Sequence, residues 1–197
     1  MENIIGMDMD DVICNTSSAI EKFAREKCDF SIDWDKVTKY DLEEVPDVIP
    51  PHIADVIVTA LFNTDIIDIS TPNISVKTSI DKLYANGFKV VIITSRPLSL
   101  TRSTDQWLRN HCIKYEGIYS SPGLQKFEVI QRLGVKAFID DREDVIDSIH
   151  CNCGDLEHGL YIFDKPWNRQ YNNKNVTRVN SVIEAVNSII NGGGYNG

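Results

Sequence analysis

Positive charge is in short supply in this 197-residue chain: 20 Lys and Arg stand against 29 Asp and Glu, leaving a formal charge of -9. Long nucleic acid is therefore not expected as a partner, because affinity for a phosphate backbone rests on clustered Lys and Arg. Small anions are not excluded, since a few local cations or a bound metal reverse the sign of a single cleft. Long apolar runs are missing too. The first is interrupted by Asp8 and Asp10, and Met1-Glu2-Asn3 has no basic character, so neither membrane span nor secretory leader is written there and a cytoplasmic protein is expected. Cysteine is sparse, with five residues at no framework spacing, which fits reduced thiols better than a disulfide scaffold. His150-Cys151-Asn152-Cys153 with His158 is a weak zinc candidate, because Cys-x-Cys lacks the usual two-residue gap and no second Cys pair is present. No internal repeat is evident.

What is present is an α/β rhythm. Apolar runs at Asn3 to Met7, Phe88 to Ile93, Ala137 to Ile139 and Leu160 to Phe163, and a weaker one around Ile118-Tyr119, read as strands. Val76, Ile80, Leu83 and Tyr84 fall at helical spacing, as do Val179, Val182, Ile183, Val186 and Ile190. Strands apolar on both faces that alternate with amphipathic helices predict a mostly parallel sheet in a three-layer α/β sandwich. Residues 16–73 break the rhythm: they are helix-compatible, punctuated by Pro46, Pro50 and Pro51, and without an obvious strand. They predict a small helical cap inserted after the first strand, with the core in residues 1–15 and 74–191 and a flexible tail over 192–197. The cap aromatics Phe23, Phe30, Trp34, Tyr40 and Phe62 are assigned mostly to its own small core, a subset being free to stack on a planar ligand.

Three apolar runs end in polar groups: Asp8-Met9-Asp10-Asp11, Thr94-Ser95-Arg96 and Asp140-Asp141-Arg142. Ligands of open parallel sheets bind outside the carboxyl ends of the strands, so these groups belong on one rim. Helix capping is the plain alternative for any single segment. It does not account for adjacent pairs such as Asp140-Asp141, whose like charges repel unless a cation sits between them. Several carboxylates without histidine or thiolate suit a hard cation, magnesium where the substrate carries phosphate.

On these residues the sequence resembles the haloacid dehalogenase superfamily of phosphotransferases. Asp8-Met9-Asp10 matches its first motif, Thr94 the second, Lys126 in Leu124-Gln125-Lys126 the third and Asp140-Asp141 the fourth. The resemblance implies Asp8 as nucleophile and Asp10 as acid and base. It also implies a magnesium ion held by Asp8, the backbone carbonyl of Asp10 and one of Asp140 and Asp141. Thr94, Ser95, Arg96 and Lys126 are the candidate phosphate ligands. Lys136 competes with Lys126 but sits at the entry end of its strand. Within the superfamily the chain is similar to the 5'(3')-deoxyribonucleotidase group, through Met7-Asp8-Met9-Asp10, Thr94-Ser95 and Ile162-Phe163-Asp164-Lys165-Pro166-Trp167-Asn168. That similarity implies a nucleoside monophosphate substrate. Asp11 departs from the pattern, standing where the group usually has glycine.

The chemistry is sound on its own terms. An ionised Asp8 can attack phosphorus to give an acyl phosphate that water hydrolyses, Asp10 acting first as acid and then as base. Other expectations remain: a phosphatase of phosphosugars or other small metabolites, a receiver-like phospho-acceptor, or a non-catalytic protein on the same fold. The order of the acidic pairs speaks against a receiver. A homo-oligomer is compatible with the sequence, which carries no signal for subunit number.

Overall fold

The computed structural model describes residues 2–192. Its sheet has the order β3-β2-β1-β4-β5-β6 with every neighbouring pair parallel, formed by β1 (Asn3–Met7), β2 (Phe88–Thr94), β3 (Gly117–Ser120), β4 (Ala137–Asp140), β5 (Leu160–Phe163) and β6 (Val176–Val179). Side chains alternate along each strand, and both faces are apolar. Val90, Ile92, Ala137 and Ile139 join Ile5 and Met7 in one cluster with α4 (Val76–Ala85), α5 (Thr101–Asn110) and α8 (Val182–Ile190). Val91, Ile93 and Phe138 turn to the other face, against α6 (Lys126–Leu133) and α7 (Glu143–Cys153). The result is the expected three-layer sandwich. Gly6, in the middle of β1, is a packing requirement: a Cβ there would lie 2.6 Å from the Phe138 ring.

The remaining helices, α1 (Thr16–Cys28), α2 (Pro51–Leu61) and α3 (Asp65–Ile69), follow β1 and gather a separate apolar cluster that includes Ala19, Phe23, Ile49, Ala54 and Ile57. The chain leaves and re-enters the sandwich at one point. Asn15 N–H donates to Thr71 O at 2.8 Å and Asn73 N–H to Ile13 O at 2.9 Å, while the Asn73 side-chain amide donates to the carbonyls of Asp11 and Val12.

The C-terminal region corrects one expectation. Val179 ends β6 rather than sharing a helix with Val182, and α8 begins only after Ser181, whose Oγ accepts from Glu184 N. An edge strand of four residues with Thr177 and Arg178 at its centre has no apolar run to announce it. Val179 is nevertheless fully buried in the same cluster as α8, so its apolar spacing located its packing correctly and misjudged its backbone. Of the predicted tail, residues 193–197 lie outside the described residues.

Candidate functional site

Strands β2, β1 and β4 are adjacent and parallel, so their carboxyl ends bring Thr94, Asp8 and Asp140 to one rim. Past Met7 the chain tightens into a turn, with Ile13 and Cys14 N–H both donating to Met9 O. Asp8 N–H donates to Ile139 O at 2.9 Å, tying the end of β1 to β4.

Lys126, at the first position of α6, reaches back to this rim. Its ammonium lies 2.6 Å from Asp8 Oδ1 and 2.8 Å from Asp140 Oδ2, with the side chain only 1% exposed. Burial alone would discharge it, but Asp140 and Asp8 outweigh burial and hold its pKa above the usual value. Burial pushes the Asp8 carboxyl up to about 7, Lys126 pulling against it and the charges of Asp140 and Asp10 adding to it. Lys136 instead pairs with Glu157 at 2.6 Å, and its amide bonds Ile4 O at the opposite end of the strand.

One cation thus serves two carboxylates of three. Asp8, Asp140 and Asp141 present oxygens all within 4.8 Å of one another. Asp140 Oδ1 accepts from Arg142 N, but Asp141 Oδ2 is buried with no partner. Burial, then repulsion from Asp140, Asp11 and Asp8, drives the Asp141 carboxyl well above its normal pKa. A buried, orphaned oxygen among hard donors is what a divalent cation would satisfy, so these residues fit the metal that the sequence suggested. Among the described residues this is the metal-competent grouping, and His150, Cys151, Cys153 and His158 form none. All five cysteines are free.

Asp10 is not part of that triad. Arg96 Nη2 donates to its Oδ1 at 2.7 Å and Nε to its Oδ2 at 2.9 Å, while Thr16 Oγ1 donates to Oδ1 at 2.6 Å. Burial disfavours its charge, yet the Arg96 guanidinium more than compensates and holds the carboxyl below the usual range. Arg96 N–H donates to Thr94 Oγ1 at 3.2 Å, and Ser95 is exposed on the wall of the adjoining cavity.

Asp11 adopts a left-handed backbone, φ +55°, which costs a residue with a Cβ about 1 kcal/mol. Its side chain offsets that strain. Oδ1 accepts from Ser17 N and from Lys165 Nζ at 2.9 Å, and Oδ2 accepts from Ser17 Oγ at 2.6 Å. The segment Ile162 to Asn168 buttresses the acidic pair: Asn168 Nδ2 and Trp167 Nε1 both donate to Asp141 O.

A cavity of about 380 Å³ opens between the rim and the inserted helices. Asp10, Ser95 and Arg96 lie on its rim side, with Trp34, Tyr40, Phe62 and Trp167 among its walls. The cap aromatics therefore divide. Phe23 and Phe30 pack in the helical cluster, Trp34 packs there and also lines the cavity, and Tyr40 and Phe62 are exposed on it. Sequence reasoning missed Thr16, which served only as the first residue of the inserted segment, and Arg142, whose guanidinium stacks 4.2 Å from the Tyr40 ring centroid. Its position directly after Asp140-Asp141 was the available signal.

Parallel strand ends, a carboxylate triad and a buried lysine shared between two of its members give the chain the fold and rim of a haloacid dehalogenase-superfamily hydrolase. More narrowly, the chain belongs to the family described as 5' nucleotidase, deoxy (Pyrimidine), cytosolic type C, whose family model matches residues 2–192. Two solved structures share the fold. A predicted phosphatase from Clostridium acetobutylicum superimposes with a TM-score of 0.62 at 19% identity, covering 97% of this chain and 99% of that one. A HAD-superfamily hydrolase, subfamily IA, variant 1, from Geobacter sulfurreducens PCA does so with a TM-score of 0.61 at 14% identity, covering 95% and 96%. Among curated proteins the chain is 29% identical over 110 residues to "Putative nucleotidase YqfW" of Bacillus subtilis (strain 168). That alignment covers 56% of this chain and 55% of the relative, so the match spans about half the length of each. Among the described residues no helix is long and apolar enough to cross a membrane.

Proposed function

We propose that the protein hydrolyses nucleoside monophosphates, deoxyribonucleotides in particular, with magnesium at the Asp8-Asp140-Asp141 cluster and residues 16–73 as a specificity cap. Asp8 attacks phosphorus through a carboxylate oxygen and carries the phosphoryl group as an acyl phosphate. Lys126, already 2.6 Å from Asp8 Oδ1, neutralises charge that spreads onto the transferring oxygens, while Thr94 and Ser95 donate to them. Asp10 gives a proton to the leaving alkoxide, then removes one from the water that hydrolyses the acyl phosphate. Asp8, Asp141 through its orphaned oxygen, and the Asp10 carbonyl would hold the cation. When bound it supplies charge neutralisation between nucleophile and phosphate.

The observation that carries the nucleotide reading is the cavity itself. At about 380 Å³ it falls within the usual range for small-ligand pockets, and it joins aromatic walls suited to a planar base to the rim where phosphate chemistry would occur. The family description and the description of YqfW support the same substrate class. A panel of deoxyribonucleoside and ribonucleoside monophosphates beside sugar phosphates, assayed for phosphate release with magnesium and after chelation, tests it. Turnover of nucleotides that chelation abolishes is expected. Turnover of sugar phosphates alone would reassign the cavity, and a rate indifferent to chelation would remove the metal.

A further inference from the structure

The contact between Arg96 and Asp10 does not fit a simple division into phosphate ligand and proton donor. Both Asp10 oxygens are occupied as acceptors, Oδ1 by Arg96 Nη2 and Thr16 Oγ1, Oδ2 by Arg96 Nε. A general acid must turn an O–H toward the leaving oxygen, and a carboxylate gripped by a two-pronged guanidinium and a hydroxyl has none to offer. The arrangement is therefore a resting one, and the group free to change is the guanidinium. The Arg96 backbone is fixed, its N–H on Thr94 Oγ1 and its carbonyl accepting from Ser120 Oγ at 2.5 Å. The guanidinium's remaining contacts are weaker, 3.3 Å to Thr104 Oγ1 and 3.4 Å to Cys14 Sγ. Arg96, Asp10 and Ser95 all line the same cavity. A phosphomonoester dianion arriving there brings twice the charge of the Asp10 carboxylate and matches the guanidinium fork equally well.

We propose that Arg96 is a clamp exchanged between Asp10 and substrate: it holds Asp10 in an accept-only pose until a phosphate group takes the guanidinium over and frees the carboxyl. The freed carboxyl can then turn toward the leaving oxygen. The exchange rests on the assignment of Asp10 as proton donor. Thr16, the first residue of α1, holds the same carboxylate, so the release is also tied to the inserted helices. Arg96 is in this sense a positioning residue that meets substrate only after letting Asp10 go.

The experiment compares the full-length protein with Arg96→Ala and Arg96→Lys in magnesium. It uses a deoxynucleoside 5'-monophosphate, whose alkoxide needs a proton, p-nitrophenyl phosphate, whose phenolate leaves without one, and inorganic phosphate as competitive inhibitor. For Arg96→Ala the KM of both substrates and the Ki of phosphate rise about tenfold, the loss expected for a charged hydrogen bond to substrate, while the nucleotide kcat changes less than about twofold. Arg96→Lys, which keeps the charge without the fork, recovers most of the KM, and it carries the same test should the alanine variant fail to fold. A nucleotide kcat that falls tenfold or more would overturn the clamp, because Arg96 would then be holding Asp10 in its working pose. Unchanged KM and Ki would overturn it as well. Asp10→Asn separates the underlying assignment: it should lose nucleotide turnover yet retain the first burst of p-nitrophenolate, whose release needs no proton, and nucleotide turnover at parity with the parent would remove Asp10 as donor whatever Arg96 does.

Discussion

The rim of the sheet and the inserted helices face one another across a single cavity and are built by opposite rules. On the rim, Asp8, Lys126, Asp140 and Asp141 are at most 5% exposed, with Lys126 at hydrogen-bond distance from Asp8 and Asp140 and Asp141 left with an unpartnered oxygen. On the inserted side, Phe62 is 65% exposed and Tyr40 38%, with apolar surface left open to solvent. Phosphoryl transfer gains from desolvated, pre-positioned charge, because electrostatic interactions strengthen where water is excluded. Recognition of a planar ligand needs aromatic surface that stays uncovered until the ligand arrives. Under the proposed function, the contrast would put chemistry on one side and selectivity on the other.

The largest way to break that division is Asp8→Asn, which should lower turnover of every phosphomonoester by at least about 10⁴-fold while the circular dichroism of the parent is kept. An effect confined to one substrate would put chemistry on the helical side as well. Next in size is a pair of opposite sign within the rim. Lys126→Met strands two buried carboxylates and should cost about 3–5 kcal/mol in urea unfolding. Asp141→Asn removes the orphaned carboxyl and should stabilise the metal-free protein by about 1 kcal/mol, while erasing the rise in melting temperature expected of the parent in magnesium. Equal signs would show that the rim is not divided between a paired and an unpaired half. Smallest is Phe62→Ala on the cavity wall, where stability should move by less than about 0.5 kcal/mol. The KM for nucleotides should rise up to about tenfold, with the p-nitrophenyl phosphate KM unmoved. A kinetic effect shared by both substrates would place Phe62 nearer the chemistry than the base.

Much of the rim was legible beforehand because parallel strands buried on both faces are continuous apolar words, and their polar endings stand out. Asp8, Thr94 and Asp140 follow from that pattern and from strand polarity. Lys126 followed from its resemblance to a family motif, while the geometry that distinguishes it from Lys136 is that Lys126 opens α6 at the rim and Lys136 sits at the entry end of β4. The edge strand β6 was not legible, since only one of its residues, Val179, is fully buried and two polar residues occupy its centre. Nor were the cavity walls: Trp34 and Phe62 show the same aromatic chemistry as Phe23, and only packing decides which ring is covered.

Asp11 and Arg96 show the same limit within the site. Asp11 read only as a departure from the glycine usual at its position. In the structure it is a strained residue whose carboxylate is taken by Ser17 and Lys165. Arg96 read as a phosphate donor, and its partner in the structure is Asp10, 86 residues earlier in the chain.

The sequence by itself determined the α/β sandwich, the insertion after β1 and the carboxylates at the strand ends, because hydrophobic periodicity and strand direction are local properties that survive without a partner. Only the tertiary structure decided how charge is apportioned: Lys126 between Asp8 and Asp140, Arg96 on Asp10, and Asp141 left with an unpaired oxygen. Electrostatic pairing depends on distance and burial, and both come into being only when strands and helices far apart in sequence are packed against one another.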